Sequence, residues 1–161
     1  MSKRALILID IQNDYFAGGK WTLHGMDAAA ANAARILAAA RAAGDTVVHV
    51  RHEFESMDAP FFAPGSSGAQ IHSEVQPLAG ETVVLKHKVN AFLGTDLKAL
   101  LDKAGVEQII LVGAMSHMCI DAAARASADF GYATTVIHDA CATRDQAFEG
   151  KQVPAAQVQA A

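Results

Sequence analysis

The amino-acid sequence predicts an α/β fold in which helices cover both faces of a mainly parallel sheet. Strand-like and helix-like segments alternate along the chain, which is typical of parallel strands joined by helices. The strand-like segments are uninterrupted apolar runs, as expected for strands that are buried on both faces. Glycine follows three helix-like segments, at Gly44, Gly105 and Gly131, and glycine is the residue that most often ends a helix.

The individual elements follow from these patterns in chain order. Short apolar runs predict the strands, and longer segments, many of them rich in alanine, predict helices that pack closely on the sheet. The predicted strands lie near 4–10, 45–51, 82–86, 107–113 and 133–138, and the predicted helices near 27–43, 95–104, 119–130 and 154–161. The segment from His52 to Gly80 contains three prolines and has no clear period. Such a long connection in a compact domain is usually a functional loop.

Length and composition indicate one soluble domain over residues 1–161. The net charge of −4 offers no basic surface for nucleic acid. No apolar run approaches the roughly 18 residues of a membrane span, and the chain passes from Ser2-Lys3-Arg4 into a strand without a signal-peptide pattern. Cys119 and Cys141 are the two cysteines. Without an export signal, they are predicted to be free thiols in a reducing cytoplasm.

Cys119 lies between a predicted strand and a predicted helix. Helix N-termini carry partial positive charge and unpaired N–H groups, so this position is expected to lower the pKa of the thiol and to favour a nucleophile. The alternative is that Cys119 is a small buried apolar residue, as most free cysteines are.

Two charged residues end other predicted strands. Asp10 follows the apolar run 5–9, and Lys86 follows the run 82–85. Strand C-termini line the ligand crevice of parallel α/β sheets. Asp10 could instead cap a loop, and Lys86 could lie on a solvated face. An acid, a base and a thiol at three strand ends nevertheless favour a catalytic site.

These residues lie within segments that resemble the isochorismatase-like cysteine hydrolase family, which includes nicotinamidases and N-carbamoylsarcosine amidohydrolases. The resemblance runs from about residue 5 to the last residue. It implies a three-layer α-β-α, Rossmann-like fold with a sixth strand, whereas the sequence stops within a helix-like pattern at 158–161. Either the sequence is truncated or the last strand is supplied in some other way. The segments are 8–16 (LIDIQNDYF), Lys86, 90–97 (NAFLGTDL), 113–119 (GAMSHMC) and 139–143 (DACAT).

The resemblance also implies roles for individual residues. Asp10, Lys86 and Cys119 would form a catalytic triad that cleaves a C–N bond of a small carbonyl compound through a thioester. A cis peptide bond would join Ala114 to Met115, and the N–H groups of Met115 and Cys119 would form an oxyanion hole.

Substrate contacts are expected from Gln12, Phe16 and His117. For Gln12 a hydrogen bond to Lys86 remains an alternative, and for His117 a contact with solvent alone does. Other loop aromatics, among them Trp21, Phe54, Phe61 and Phe62, could line a pocket or seal the domain. Contact with a neighbouring subunit is common in this family, so a homo-oligomer, dimer or tetramer, is expected.

No metal and no cofactor are expected. The zinc-binding branch of the family has Asp-x-His after its second strand, where this chain has His52-Glu53-Phe54, and the remaining histidines lack ligand spacing. Two other functions remain open. True isochorismatases cleave a vinyl ether but carry no cysteine at the position of Cys119, and a domain of this type could also serve only as a binding scaffold.

Overall fold

The structure is a computed structural model that describes residues 2–161. Within these residues the main sheet has five strands, all parallel, in the order β3-β2-β1-β4-β5. This arrangement confirms the α/β fold with a parallel sheet. The strands are β1 (Arg4–Ile9), β2 (Thr46–His52), β3 (Thr82–Lys86), β4 (Gln108–Ala114) and β5 (Ala133–Ala142).

The helices lie on both faces of the sheet, and the first three of them connect its strands. They are α1 (Met26–Ala43), α2 (Leu97–Lys103), α3 (Asp121–Asp129) and α4 (Ala155–Ala160). No helix within residues 2–161 is long and apolar enough to cross a membrane. Both α1 and the predicted helix end just before Gly44. The left-handed backbone of this glycine (φ 70°) lets its N–H group bond to the carbonyls of Ala40 and Arg41.

Alternate residues of β1 belong to two separate apolar cores, as expected for a strand between two helical layers. Leu6 and Leu8 pack with α1 in one core, whereas Ile7 and Ile9 pack with α2 and α3 in the other. The two cores explain why the β1 sequence is apolar without interruption.

The close approach of β1 and β4 depends on Gly113. Its backbone has φ +127°, and a Cβ atom placed there would lie 1.9 Å from the carbonyl oxygen of Ile9. The pairing of β4 with β5 also shifts register between Leu111 and Gly113. These features set the path of the chain from the end of β4 toward Cys119.

The structure differs from the predicted elements in three places. A π-helical turn, Ser116–Ile120, precedes α3, so Cys119 lies within that turn and the helix proper begins at Asp121. Strand β5 extends to Ala142, four residues beyond its predicted end. A short antiparallel hairpin, β6 (Gln146–Phe148) and β7 (Lys151–Val153), was not predicted. Its three-residue strands are too short to show a period, and its turn residues Glu149 and Gly150 both have positive φ.

Candidate active site

Asp10, Lys86 and Cys119 meet at the carboxyl end of the sheet. Asp10 directly follows β1, Lys86 ends β3, and Cys119 lies in the turn after β4. The Nζ atom of Lys86 is 3.0 Å from Oδ2 of Asp10 and 3.3 Å from Sγ of Cys119. One ammonium group therefore contacts both the carboxylate and the thiol.

Lys86 is fully buried, and its ammonium group is surrounded by acceptors. Besides Asp10 and Cys119, it lies 2.9 Å from Nδ1 of His52 and donates to the carbonyl oxygen of Lys88 at 3.0 Å. Burial disfavours the charged form, but the Asp10 carboxylate and the contact with Cys119 outweigh it and raise the pKa of Lys86. Lys86 is therefore a fixed positive charge rather than a proton donor at neutral pH.

Asp10 has an unusual backbone conformation, with φ 54°. Aspartate tolerates this left-handed region better than most residues, and such conformations are concentrated at functional sites. The Asp10 N–H group still bonds to the carbonyl of Val50 at 2.9 Å. Burial raises the pKa of Asp10, while Lys86 and Cys119 oppose that rise. The carboxylate is consequently a stronger base than an exposed aspartate.

The Cys119 thiol differs from the sequence-based expectation. Its pKa was expected to be lowered, but burial and the Asp10 carboxylate raise it, and the charge of Lys86 only partly compensates. The thiol is therefore protonated at rest. Cys141, the other unpaired cysteine, is also buried, and burial raises its pKa to about 11.

A cavity of about 210 Å³, here called the thiol pocket, opens onto Cys119. Such a volume lies below the roughly 300–1,000 Å³ of pockets for drug-sized ligands, so the pocket suits small molecules. The aromatic cluster predicted on the loops supplies much of its wall. The lining residues are Asp10, Tyr15, His52, Phe54, Phe61, Phe62, His87, Lys88, Val89, Met115, Met118 and Cys119.

The loop that carries Phe61 and Phe62 is held by the carboxylate of Asp14. This side chain is almost fully buried and accepts hydrogen bonds from the backbone N–H groups of Phe62 at 2.7 Å and Lys20 at 3.1 Å. Gly68 packs directly on it, because a Cβ atom at this position would lie 2.2 Å from Oδ1 of Asp14. Asp14 therefore fixes the aromatic wall without touching the pocket.

Gln12 does not lie on the wall of the thiol pocket. It is fully buried, and its side-chain amide donates to the carbonyls of His52 and Ala69, both at 2.8 Å, and accepts from the N–H group of His52 at 2.8 Å. These bonds occupy the amide and tie the end of β2 to the loop. The alternative bond to Lys86 is not formed, and the substrate contact of Gln12 stays a prediction.

Phe16 and His117 lie in neighbouring cavities rather than in the thiol pocket. Phe16 stacks on His72 with ring centroids 3.6 Å apart and faces a cavity beside the 66–68 loop. His117 bonds through Nδ1 to the hydroxyl of Thr143 at 2.8 Å and lines a cavity of about 690 Å³. Met115 and Met118 border both that cavity and the thiol pocket. His117 is thus adjacent to the pocket, whereas Phe16 is separated from it.

The segment before Cys119 has the expected cis peptide bond between Ala114 and Met115.

Sequence reasoning overlooked two other residues near the thiol. Tyr15 was present in the first motif but received no role, and His52 was considered only as a possible metal ligand. Within residues 2–161, no three histidine, cysteine or acidic side chains come together as a metal-binding group.

Comparison with known proteins identifies the family. Residues 4–157 match the isochorismatase domain. The chain belongs to the isochorismatase family. The family resemblance seen in the sequence is confirmed.

Relatives within this family extend over most of the chain. An uncharacterized isochorismatase family protein, YddQ of Bacillus subtilis, is 47% identical over 154 residues, which are 96% of this chain and 86% of YddQ. The crystal structure of a protein assigned as an isochorismatase hydrolase from Oleispira antarctica has a TM-score of 0.94 and 56% identity, and the match covers 98% of this chain and 84% of that one. Maleamate amidohydrolase of Pseudomonas putida is 31% identical over 88% of this chain and 73% of its own length. A named amidohydrolase is therefore among the relatives of this chain.

Proposed function

We propose that this protein is a cysteine hydrolase that cleaves the C–N bond of a small amide-type carbonyl compound. Asp10, Lys86 and Cys119 are its catalytic residues. The observation that carries the proposal is the contact of the Lys86 ammonium with both the Asp10 carboxylate and the Cys119 thiol, at 3.0 Å and 3.3 Å. Its similarity to an amidohydrolase supports the same class of reaction.

The first half of the reaction forms a thioester. Because burial keeps the thiol protonated, Asp10 must take its proton when the substrate arrives. The sulfur then attacks the carbonyl carbon, and the electron pair of the C=O double bond moves to oxygen. As this oxyanion collapses, the C–N bond breaks, and Asp10 returns its proton to the leaving nitrogen. Ammonia or an amine is released.

The second half releases the acid. Asp10 takes a proton from water, and the resulting hydroxide attacks the thioester carbon. The C–S bond breaks, and the sulfur recovers a proton from Asp10. Lys86 keeps its charge throughout, so it stabilises whichever partner, carboxylate or thiolate, is negative at each step.

The oxyanion requires hydrogen-bond donors near Cys119. We assign this role to the backbone N–H groups of Met115 and Cys119, because both residues border the thiol pocket. Loss of one such donor costs about 3 kcal/mol of transition-state stabilisation in other hydrolases.

The pocket residues suit a reaction without a bound metal. The ring of Phe54 has no atom that can coordinate zinc, and Nδ1 of His52 faces the Lys86 ammonium. We further propose that the protein forms a homo-oligomer and that its free thiols place it in a reducing compartment such as the cytoplasm. Exposed apolar side chains on β3 and the loop after it support the oligomer: Val83, Leu85, Val89 and Leu93.

The test is hydrolysis of small amides, carbamoyl amines and ureides, assayed by ammonia release, with two cysteine variants. Cys119→Ala should abolish turnover and leave the fold intact, because the change removes one sulfur atom from a turn. Cys141→Ala is the matched control, since it changes an equally buried cysteine outside the thiol pocket, and it should keep most of the activity. More than a few per cent of the wild-type rate in Cys119→Ala would show that the nucleophile is assigned wrongly.

A further inference from the structure

His52 lies at the centre of the proposed site, yet the mechanism above does not use it. It is the last residue of β2, the strand between β1 and β3, whose ends carry Asp10 and Lys86. Its side chain borders the thiol pocket, and only 5% of the residue is exposed.

The neighbouring ammonium determines which nitrogen of His52 carries the proton. Nδ1 lies 2.9 Å from Nζ of Lys86. An ammonium group has donors only, so Nδ1 must accept, and the proton of the neutral ring then sits on Nε2. Burial, together with the positive charge of Lys86, lowers the pKa of His52 to about 3. The ring is accordingly neutral at physiological pH, with an N–H group at Nε2.

That N–H group is unpaired within the part of the chain that the structure describes. Nε2 of His52 is buried and makes no hydrogen bond with any of residues 2–161. Among the other side-chain atoms on the pocket wall, within the described chain, only the Asp10 carboxylate oxygens are also buried without a hydrogen bond, and Oδ2 of Asp10 has its ion pair with Lys86. The ring of Phe54 meets the His52 ring edge-on at 4.5 Å and offers no acceptor. His87, by contrast, is occupied by a 2.7 Å bond between Nδ1 and the Glu53 carbonyl.

We propose that the Nε2–H group of His52 binds an oxygen acceptor of the substrate, so that the substrate is a small amide with a second carbonyl-type oxygen close to the scissile bond. This inference rests on the proposed function and names its substrate class. Nδ1 of His52 and Sγ of Cys119 both contact the Lys86 ammonium, at 2.9 and 3.3 Å. A substrate oxygen bound at Nε2 of His52 therefore lies only a few covalent bonds from the carbon that Cys119 attacks. His52 is thus a specificity residue that holds the far end of the substrate.

The small volume of the thiol pocket increases its selectivity for substrates that carry the second oxygen. A substrate without the second oxygen would leave a buried donor unpaired among aromatic rings, and sites of this kind discriminate strongly against such analogues. We expect a preference of about tenfold to a hundredfold in kcat/KM for the substrate with the acceptor.

The tautomer of His52 is tested first, because this measurement needs neither turnover nor a substrate. Long-range ¹H–¹⁵N correlation spectra of the wild-type protein should show a neutral His52 with its proton on Nε2 between pH 6 and pH 8. The His52→Asn spectrum assigns the resonance. A proton on Nδ1, or a charged ring in this range, would overturn the proposal.

The acceptor is tested with a matched pair of amides, acetoacetamide and butanamide, which differ by one ketone oxygen. Two variants separate the two nitrogens of His52. In His52→Asn the amide oxygen replaces Nδ1 and still accepts from Lys86, but the donor at Nε2 is lost. In His52→Gln the amide nitrogen takes the place of Nε2, so the donor is kept. The control is His138→Asn, which changes an exposed histidine on β5.

Each outcome decides the proposal. Wild type, His138→Asn and His52→Gln should prefer acetoacetamide, whereas His52→Asn should lose the preference. Equal rates with the two amides in wild type, or a preference that survives in His52→Asn, would overturn it. If wild type hydrolyses neither amide, the proposed function loses support for this class. Titration of the His52 Nε2 proton resonance then decides the inference, because acetoacetamide should shift it more than butanamide, and equal shifts would refute the binding role.

Discussion

At the scale of single residues, the site depends on a shared ammonium group. Lys86 is fully buried and lies within 3.3 Å of a carboxylate oxygen, an imidazole nitrogen, a carbonyl oxygen and a thiol sulfur. Burying a charge is costly unless such partners are present. The four contacts explain why Lys86 stays charged and why removing it should affect both Asp10 and Cys119.

The pH dependence of activity should report on Asp10. Burial raises the pKa of this carboxyl group, and protonated Asp10 cannot accept the thiol proton. The value of kcat/KM should therefore fall as the pH falls, with an apparent pKa above the range of an exposed aspartate. The pKa of Lys86 is also raised, so activity should not fall through loss of the Lys86 charge until the medium is strongly alkaline.

Substitution of the charged pair provides the matching measurement. Asp10→Asn and Lys86→Met should each reduce kcat/KM at least about a hundredfold, the usual scale for lost acid–base assistance. Circular dichroism and thermal melting of both variants serve as folding controls. Near-normal activity in either variant, or an unchanged acid limb in Asp10→Asn, would contradict the mechanism.

A third residue-level prediction is that activity requires no bound metal. Phe54 and His52 stand where the zinc-binding branch has its Asp-x-His ligands, and a structural or catalytic zinc needs about three converging protein ligands. Prolonged dialysis against a chelator should leave kcat and KM unchanged. Loss of activity on chelation, with recovery on addition of zinc, would indicate a zinc-dependent site like that of the nicotinamidases.

At the scale of secondary-structure elements, Glu81 joins three elements just before β3. Its carboxylate accepts two hydrogen bonds from Arg41 of α1, at 2.7 and 2.9 Å, and lies 2.9 Å from Nε2 of His49 in β2. The bond from Arg41 lowers the pKa of Glu81 to about 2, even though burial opposes this shift. His49 is almost fully buried, and burial lowers its pKa.

These shifts predict acid-sensitive stability. A carboxyl group with a depressed pKa stabilises the fold above its unfolded value, near 4.5, and this contribution is lost as the pH falls toward 2. The depressed pKa of His49 acts in the same direction below about 6.5. Urea unfolding of Glu81→Gln should show a loss of about 2–3 kcal/mol at pH 7, and the difference from wild type should vanish near pH 2.

Glu107→Gln is the control for this measurement. Glu107 pairs with Lys3 on the surface, where both side chains are well exposed, and such pairs contribute little to stability. An equal loss in the free energy of unfolding for the two substitutions at pH 7 would show that the contacts of Glu81 with Arg41 and His49 stabilise the fold no more than an exposed ion pair does.

At the scale of the whole molecule, β3 is an edge strand with an incompletely covered apolar face. Val83 and Leu85 on the strand, and Val89 and Leu93 after it, are all exposed. Contiguous exposed apolar side chains typically mark protein interfaces. The pocket residues His87, Lys88 and Val89 lie within this stretch, so assembly through it would adjoin the candidate active site.

Light scattering coupled to gel filtration should show a dimer or tetramer for the wild-type protein. Leu85→Glu should reduce the assembly to monomers, because a buried carboxylate without a partner is costly. Phe148→Ser changes an exposed apolar residue on the hairpin and should leave the assembly unchanged. A monomeric wild type would show that the expectation of an oligomer is wrong.

The sequence by itself determined the parallel α/β fold, the family, and the positions of Asp10, Lys86 and Cys119 at the strand ends. Local patterns suffice there, since a doubly buried strand must be apolar and the first polar residue after it falls at the sheet edge. Tertiary structure alone decided the rest. The hydrogen bonds of Gln12, the stacking of Phe16 on His72, the burial of His52 and the raised pKa of Cys119 depend on which side chains meet from distant segments and how completely they exclude water, and these properties leave no periodic trace in the chain.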